Sequence, residues 1–199
     1  MHRNSKLTVQ CPLCNSTSPL MENTHYKCPN CSWDSSLGTV DILYSDSSSS
    51  VLSNLFPHSF YFYTSDTDST HCLSMESFIQ SLRVKDPLLQ KFICENYFGP
   101  MAQKLKVALR DWREDGLVYW NGIAIRRDSL TYDELITTAY DCLFESNPVF
   151  SQLVLPAFKD KILIHSIGKD SKTETLLTEQ EFRFQLNRLM QRLKPCDET

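Results

Sequence analysis

Ser74-Met75-Glu76-Ser77-Phe78-Ile79-Gln80-Ser81-Leu82-Arg83 is the stretch on which the architecture turns. Ser74 suits an N-cap and Glu76 sits in the first turn, where a carboxylate meets the positive end of the helix dipole. Met75, Phe78, Ile79 and Leu82 recur at i, i+3, i+4 and i+7, the spacing of one buried helical stripe. At 100° per residue, Glu76, Gln80 and Arg83 fall within an arc of about 60° on a different side. One face packs, and another presents a carboxylate, an amide and a guanidinium together. A solvated face carrying an incidental ion pair is the plain alternative.

Working outward, most neighbouring signals are also helical. Asp86-Pro87 opens a second helix, with Leu88, Leu89, Phe92 and Ile93 facing inward, and Gly99-Pro100 closes it. A third helix is expected over Met101 to Leu109. Leu117–Trp120 and Ile123–Ile125 flank Asn121-Gly122, a strong hairpin signal. Thr131 to Glu134 and Thr178 to Glu181 both read as capping boxes. The helices behind them would bury Leu135, Ile136, Ala139, Tyr140 and Leu143, and then Phe182, Leu186, Leu189 and Leu193. Asn147-Pro148 opens a further short helix. Phe60–Tyr63 and Ile162–Ile164 read as strands, and residues 64–70 as a polar turn. The fold class is α+β, helix-rich, with a few short strands.

The N-terminal part has a different character. Cys11-Pro-Leu-Cys14 and Cys28-Pro-Asn-Cys31 are two CxxC knuckles separated by thirteen residues. Four thiolates at this spacing complete a tetrahedral site for one structural zinc ion, with no open position for an activated water. So small a ribbon would draw much of its stability from the metal. His25, between the knuckles, is an alternative ligand; two disulfides or a redox pair is the alternative chemistry. The expected organisation is a zinc ribbon over 1–41, a serine-rich linker over 42–50 and the main domain over 51–199. Lys6, His25, Lys27 and Trp33 would let the ribbon meet nucleic acid; a docking or stabilising role is the other reading.

The net charge of −4 argues against a bulk polyanion binder, so any anionic partner must use a local basic patch. No apolar run has the length of a membrane span, and Met-His-Arg-Asn-Ser-Lys is not a signal peptide. A cytoplasmic protein with no membrane partner is expected. Cys72, Cys94, Cys142 and Cys196 are then free thiols.

Four segments together resemble the NADAR family: Leu52–Pro57, Ser74–Arg83, Ala139-Tyr140-Asp141 and the region Leu153–His165. The resemblance covers Val51 to Leu193 and implies a compact helix-rich domain that cleaves N-ribosyl or ADP-ribosyl bonds. It implies catalytic roles for Glu76, Arg83 and Asp141. It implies a ribose contact for Asn54; beside it, the amide of Gln80 suits ribose hydroxyls, Trp112, Tyr119 and Trp120 suit stacking on a base, and His165, after the Ile162–Ile164 strand, is a candidate pocket residue. Arg83 stands where that family carries a lysine, and Pro156-Ala157 where it carries a Thr-Gly turn. Lys85 is a candidate substitute amine. Ser166, Gly168, Lys169 and Lys172 form a basic loop that either meets a phosphate or is solvated. Structural readings stand beside several of these: a turn asparagine at 54, core packing for one tryptophan, a satisfied histidine at 165. Three functions stay open: an N-glycosidase-like hydrolase, possibly acting on nucleic acid; a catalytically silent ADP-ribose or nucleotide-binding module; and a zinc-ribbon adaptor.

Overall fold

A computed structural model describes residues 8–10, 17–19, 38–43, 48–65, 68–159 and 161–193. In chain order the elements are β1 (Thr8–Gln10), β2 (Thr17–Pro19), β3 (Thr39–Asp41), β4 (Phe60–Ser65), β5 (Asp68–Cys72), α1 (Met75–Ser81), α2 (Pro87–Asn96), α3 (Gly99–Lys104), β6 (Leu117–Trp120), β7 (Ile123–Arg126), α4 (Leu130–Ser146), β8 (Ile162–Ile164) and α5 (Glu179–Gln191). Short 3-10 or π turns join several of them. The fold is α+β. Its strands, among the described residues, form four separate pairs: β1 with β2, β4 with β5 and β6 with β7 antiparallel, and β3 with β8 parallel.

The core forms where α1 and α4 meet β4. Phe62, Phe78 and Trp120 pack with centroids 4.8, 5.0 and 5.2 Å apart, and Phe60 joins Phe78. Helix α4 buries Tyr132, Ile136, Ala139, Tyr140 and Leu143, and α5 buries Phe182, Leu186 and Leu189 against it. The stripe of α1 is buried as its period requires: Met75, Phe78, Ile79 and Leu82 are all inside.

Local chemistry explains where expectation and structure part. Residues 64–70 read as a turn, yet β4 runs on to Ser65 and Asp68 opens β5; the polar sequence hides the alternation that buries Thr70 and Cys72 against β4. Gly99-Pro100 starts α3 instead of ending α2, because Gly99 has φ +36° and its N–H donates to Ser74 Oγ at 3.0 Å. Helix α4 begins two residues earlier than Thr131 suggests, since Ser129 Oγ accepts from Tyr132 N at 3.3 Å. The box at Thr178 is present: Glu181 N donates to Thr178 Oγ1 at 3.1 Å and Thr178 N to Glu181 Oε2 at 2.8 Å. Asn121 and Gly122 both have positive φ at the β6–β7 turn, as a two-residue hairpin of this twist demands.

Strand β3 lies at the end of the stretch assigned to the ribbon, and it pairs with β8 of the main domain, Thr39 opposite Ile162. Ile42 beyond it is fully buried. Cys11, Cys14, Cys28 and Cys31, with His25, lie outside the described residues. No helix among the described residues is long and apolar enough to cross a membrane.

Candidate functional site

Helix α1 is held at its start by a reciprocal pair: Ser77 N donates to Ser74 Oγ and Ser74 N to Ser77 Oγ, each at 3.1 Å. That cap fixes the rotation of the polar arc. Gln80 Nε2 donates to Glu76 Oε1 at 2.9 Å, and Arg83 donates from one terminal nitrogen to Gln80 Oε1 at 3.3 Å. Arg83 Nε donates to the carbonyl of Arg110 at 3.1 Å. The amide of Gln80 is therefore used at both ends, and it ties the carboxylate to the guanidinium. Gln80 and Arg83 are buried at 8% and 6% exposure, so this arc faces the protein and not bulk water.

The segment before β4 brings Asn54 to the same place. Glu76 N donates to Asn54 O at 3.0 Å, and the buried Tyr140 hydroxyl donates to Asn54 Oδ1 at 2.6 Å. The backbone there is pressed against Gly99. A Cβ at position 99 would stand 1.9 Å from the carbonyl oxygen of Leu55, so only glycine admits this approach.

The opposite wall comes from β8, the loop after it and the start of α5. His165 Nδ1 meets the carbonyl of Ile42 at 2.6 Å, which leaves Nε2 without that partner. Arg127, almost fully buried, anchors the loop: its Nε donates to Thr175 O at 3.1 Å and its terminal nitrogens fork onto Glu181. It also stacks 4.4 Å over the ring of Tyr132, whose hydroxyl donates to Leu176 O. Burial pushes the Glu181 carboxyl up, but the bonds from Arg127 and Thr178 N outweigh it and hold the group below its ordinary value.

Between these walls lies a cavity of about 680 Å³, within the range of small-molecule sites. Asn54, Glu76, Gln80, Arg83, Trp112 and His165 all line it. Its cations are Arg83, Lys106, Arg113 and Lys169, against the carboxylates Glu76 and Glu174. Arg113 forks onto Asp111 at 2.8 Å and Lys169 pairs with Glu174 at 3.8 Å. Arg83 and Lys106 have no carboxylate partner among the described residues. Burial raises the Glu76 carboxyl above its ordinary value, against the pull of Gln80 and Lys106. Burial also lowers the Arg83 guanidinium from its ordinary value; Asp111 opposes this, while Arg113 and Arg110 add to it.

The cavity does not include every expected residue. Asp141 lies on α4 facing α5, where Arg188 holds it at 2.7 Å and Arg192 contacts the same oxygen. Trp120 belongs to the aromatic core, its ring wedged against Phe62 and Phe78. Lys85 is exposed and absent from the lining, as the α1 turn directs it outward. Lys172 pairs with Asp133 and Glu181 instead of facing the cavity. Sequence reasoning missed Lys106, Arg113 and the wall Glu174–Thr178, which depend on contacts between distant loops.

The chain matches the family described as Bacteriophage protein GP30.3 over residues 46–191. A 17.1 kDa protein in the Gp30-rIII intergenic region of Enterobacteria phage T4 is 34% identical over 116 residues, covering 58% of this chain and 75% of the phage protein. No solved structure matches. The resemblance to NADAR proteins is thereby corrected: the match is to a different family, and no NADAR domain is found. Leu-Ser-Asn turns and Ser-capped amphipathic helices arise wherever a loop meets a buried helix, so their order alone has little specificity. The glycosidase description loses its family footing; among the described residues, which do not include Cys11, Cys14, Cys28 and Cys31, no group of three or more His, Cys, Asp or Glu side chains could hold a metal ion. With almost three quarters of its length matched, the chain belongs to the bacteriophage GP30.3 family.

Proposed function

We propose that the cavity binds a phosphorylated nucleoside-class ligand. The observation that carries the reading is the pair of cations without carboxylate partners, Arg83 and Lys106, on the lining of a cavity that also has an aromatic wall, Trp112, in a chain of net charge −4. A buried arginine bonded only to a carbonyl and an amide keeps its charge for an incoming anion, and a phosphate accepts its fork. Trp112 offers an apolar ring to a flat base.

Isothermal titration with adenosine 5′-monophosphate tests this. Binding is expected, with adenosine at least about tenfold weaker, because charge-assisted phosphate contacts are each of order 1.5–3 kcal/mol. Arg83→Met should remove that difference. No binding of the monophosphate at millimolar concentration would refute the reading.

Glu76 favours a second reading on the same site, cleavage of an N-ribosyl bond. As a carboxylate on the cavity lining it can stabilise the ribosyl cation and take the proton of the water that adds to the ribosyl carbon, while the departing base takes a proton from solvent. Release of free base from ribosylated substrates, abolished by Glu76→Gln, is the outcome that would favour turnover over binding alone.

A further inference from the structure

We infer that Asn54 and Glu76 form a hydroxyl-reading pair in the cavity, with Tyr140 as the positioning residue that sets its polarity. The inference rests on the nucleoside-class reading and narrows it to ligands with an intact sugar diol.

The argument follows the hydrogen atoms. Tyr140 is 1% exposed and does not line the main cavity; it reaches Asn54 from behind, through the apolar contacts of α4. Its hydroxyl proton has one acceptor among the described residues, Asn54 Oδ1 at 2.6 Å. Rotating the amide would strand that proton in the core, and a buried donor without an acceptor costs about 1–3 kcal/mol. Asn54 Oδ1 is therefore occupied, and Nδ2, which has no partner among the described residues, is left to donate to the cavity.

Glu76 is oriented by the complementary logic. Arg83 donates to Gln80 Oε1, so the Gln80 amide must offer its Nε2 to Glu76 Oε1. The second carboxylate oxygen has no such donor and remains an acceptor. The bond from Glu76 N to Asn54 O, 3.0 Å, joins the two backbones, and both residues line the same cavity. A donor beside an acceptor is matched by one ligand group that both accepts and donates, a hydroxyl. An ammonium cannot accept from Asn54, and an ether or carbonyl cannot donate to Glu76. Neither amide can reverse without breaking a bond on its buried side.

Paired titrations with adenosine 5′-monophosphate and its 2′,3′-dideoxy analogue test the inference. In the natural protein the dideoxy compound should bind at least about tenfold more weakly, because the pair is then left facing nothing. Tyr140→Phe frees the Asn54 amide to turn and should bring the two affinities within about threefold. Asn54→Asp replaces the donor by an acceptor and should also abolish the preference. A purely structural role for Tyr140 would weaken both nucleotides together and leave their ratio unchanged. Should Tyr140→Phe fail to fold, Asn54→Asp alone decides. Equal binding of the two nucleotides to the natural protein overturns the inference and leaves the nucleoside reading standing. An undiminished ratio in Tyr140→Phe overturns the role given to Tyr140. Failure of both nucleotides to bind removes the nucleoside reading and the hydroxyl pair together.

Discussion

Glu76 and Asp141 began as equivalent acids on two helices, and the fold treats them in opposite ways. Asp141 meets two arginines from α5, so its charge is spent inside the protein. Glu76 meets one amide, is raised by burial, and keeps an oxygen toward a cavity with spare cations. The difference teaches that a carboxylate's availability depends on how many donors the neighbouring element brings. Helix α5 brings Arg188 and Arg192 to α4 one turn apart; α1 faces α3 and the loops, which bring Lys106 without a bond.

The strongest way to break this contrast is to disturb the frame on the Glu76 side alone. Gly99→Ala combines a positive φ with a Cβ driven into the Leu55 backbone. Strained backbone and overpacking each cost about 1–3 kcal/mol, so a loss of about 2–6 kcal/mol is expected in urea denaturation. The clamp on Asp141 lies elsewhere and should not soften the loss. A variant as stable as the natural protein would mean that the Asn54 loop is not pinned by this approach.

A smaller effect sharpens the role of Glu76. Its proton is held more firmly in the folded chain than in the unfolded one, so ionisation opposes folding. That penalty is absent below the ordinary carboxylate value of 4.5 and enters as pH rises through the elevated folded value. Glu76→Gln, which keeps an acceptor for Gln80, should therefore melt with the natural protein near pH 4 and above it at neutral pH. Equal melting temperatures across that range would show that Glu76 is not strained by burial.

The helical part of this arrangement was legible in the residues because its period is local. Ser74 to Leu82 carries its own cap and stripe, so the polar arc could be placed without tertiary knowledge. What was not legible depends on distance along the chain. Trp112 and Trp120 look alike in sequence, yet one lines the cavity and the other fills the core, since β6 points Trp120 at Phe62 and Phe78. Arg127 follows a hairpin with no local signal of burial, and Thr175 and Glu181, about fifty residues on, draw it inside. Tyr140 was correctly expected in the core, and nothing in its helical spacing pointed to the bond with Asn54. The NADAR resemblance misled because it weighed short capping and turn segments as if they identified a family.

The smallest expected effect belongs to Asp141, and its smallness is the point. Removing the charge with Asp141→Asn leaves each arginine with other company. Arg188 still donates to Gln185 Oε1 at 3.0 and 3.1 Å and to Thr137 O at 3.3 Å. Arg192 still reaches Glu145 at 2.9 Å and lies 4.6 Å over the ring of Phe144. The asparagine also retains an acceptor oxygen for one of them. Asp141 is partly exposed, so water screens what is lost, and a cost of about 0.5–1 kcal/mol is expected. Thermal melts should find that cost shrinking as salt rises from low to molar concentration, as for any exposed ion pair. Titration with adenosine 5′-monophosphate should return the affinity of the natural protein, because among the described residues the bonds of Asp141 run to Arg188 and Arg192, which do not line the cavity. A loss of affinity comparable to that of Arg83→Met would erase the distinction between the filled cluster and the open one, and would bring α4 and α5 back into the site.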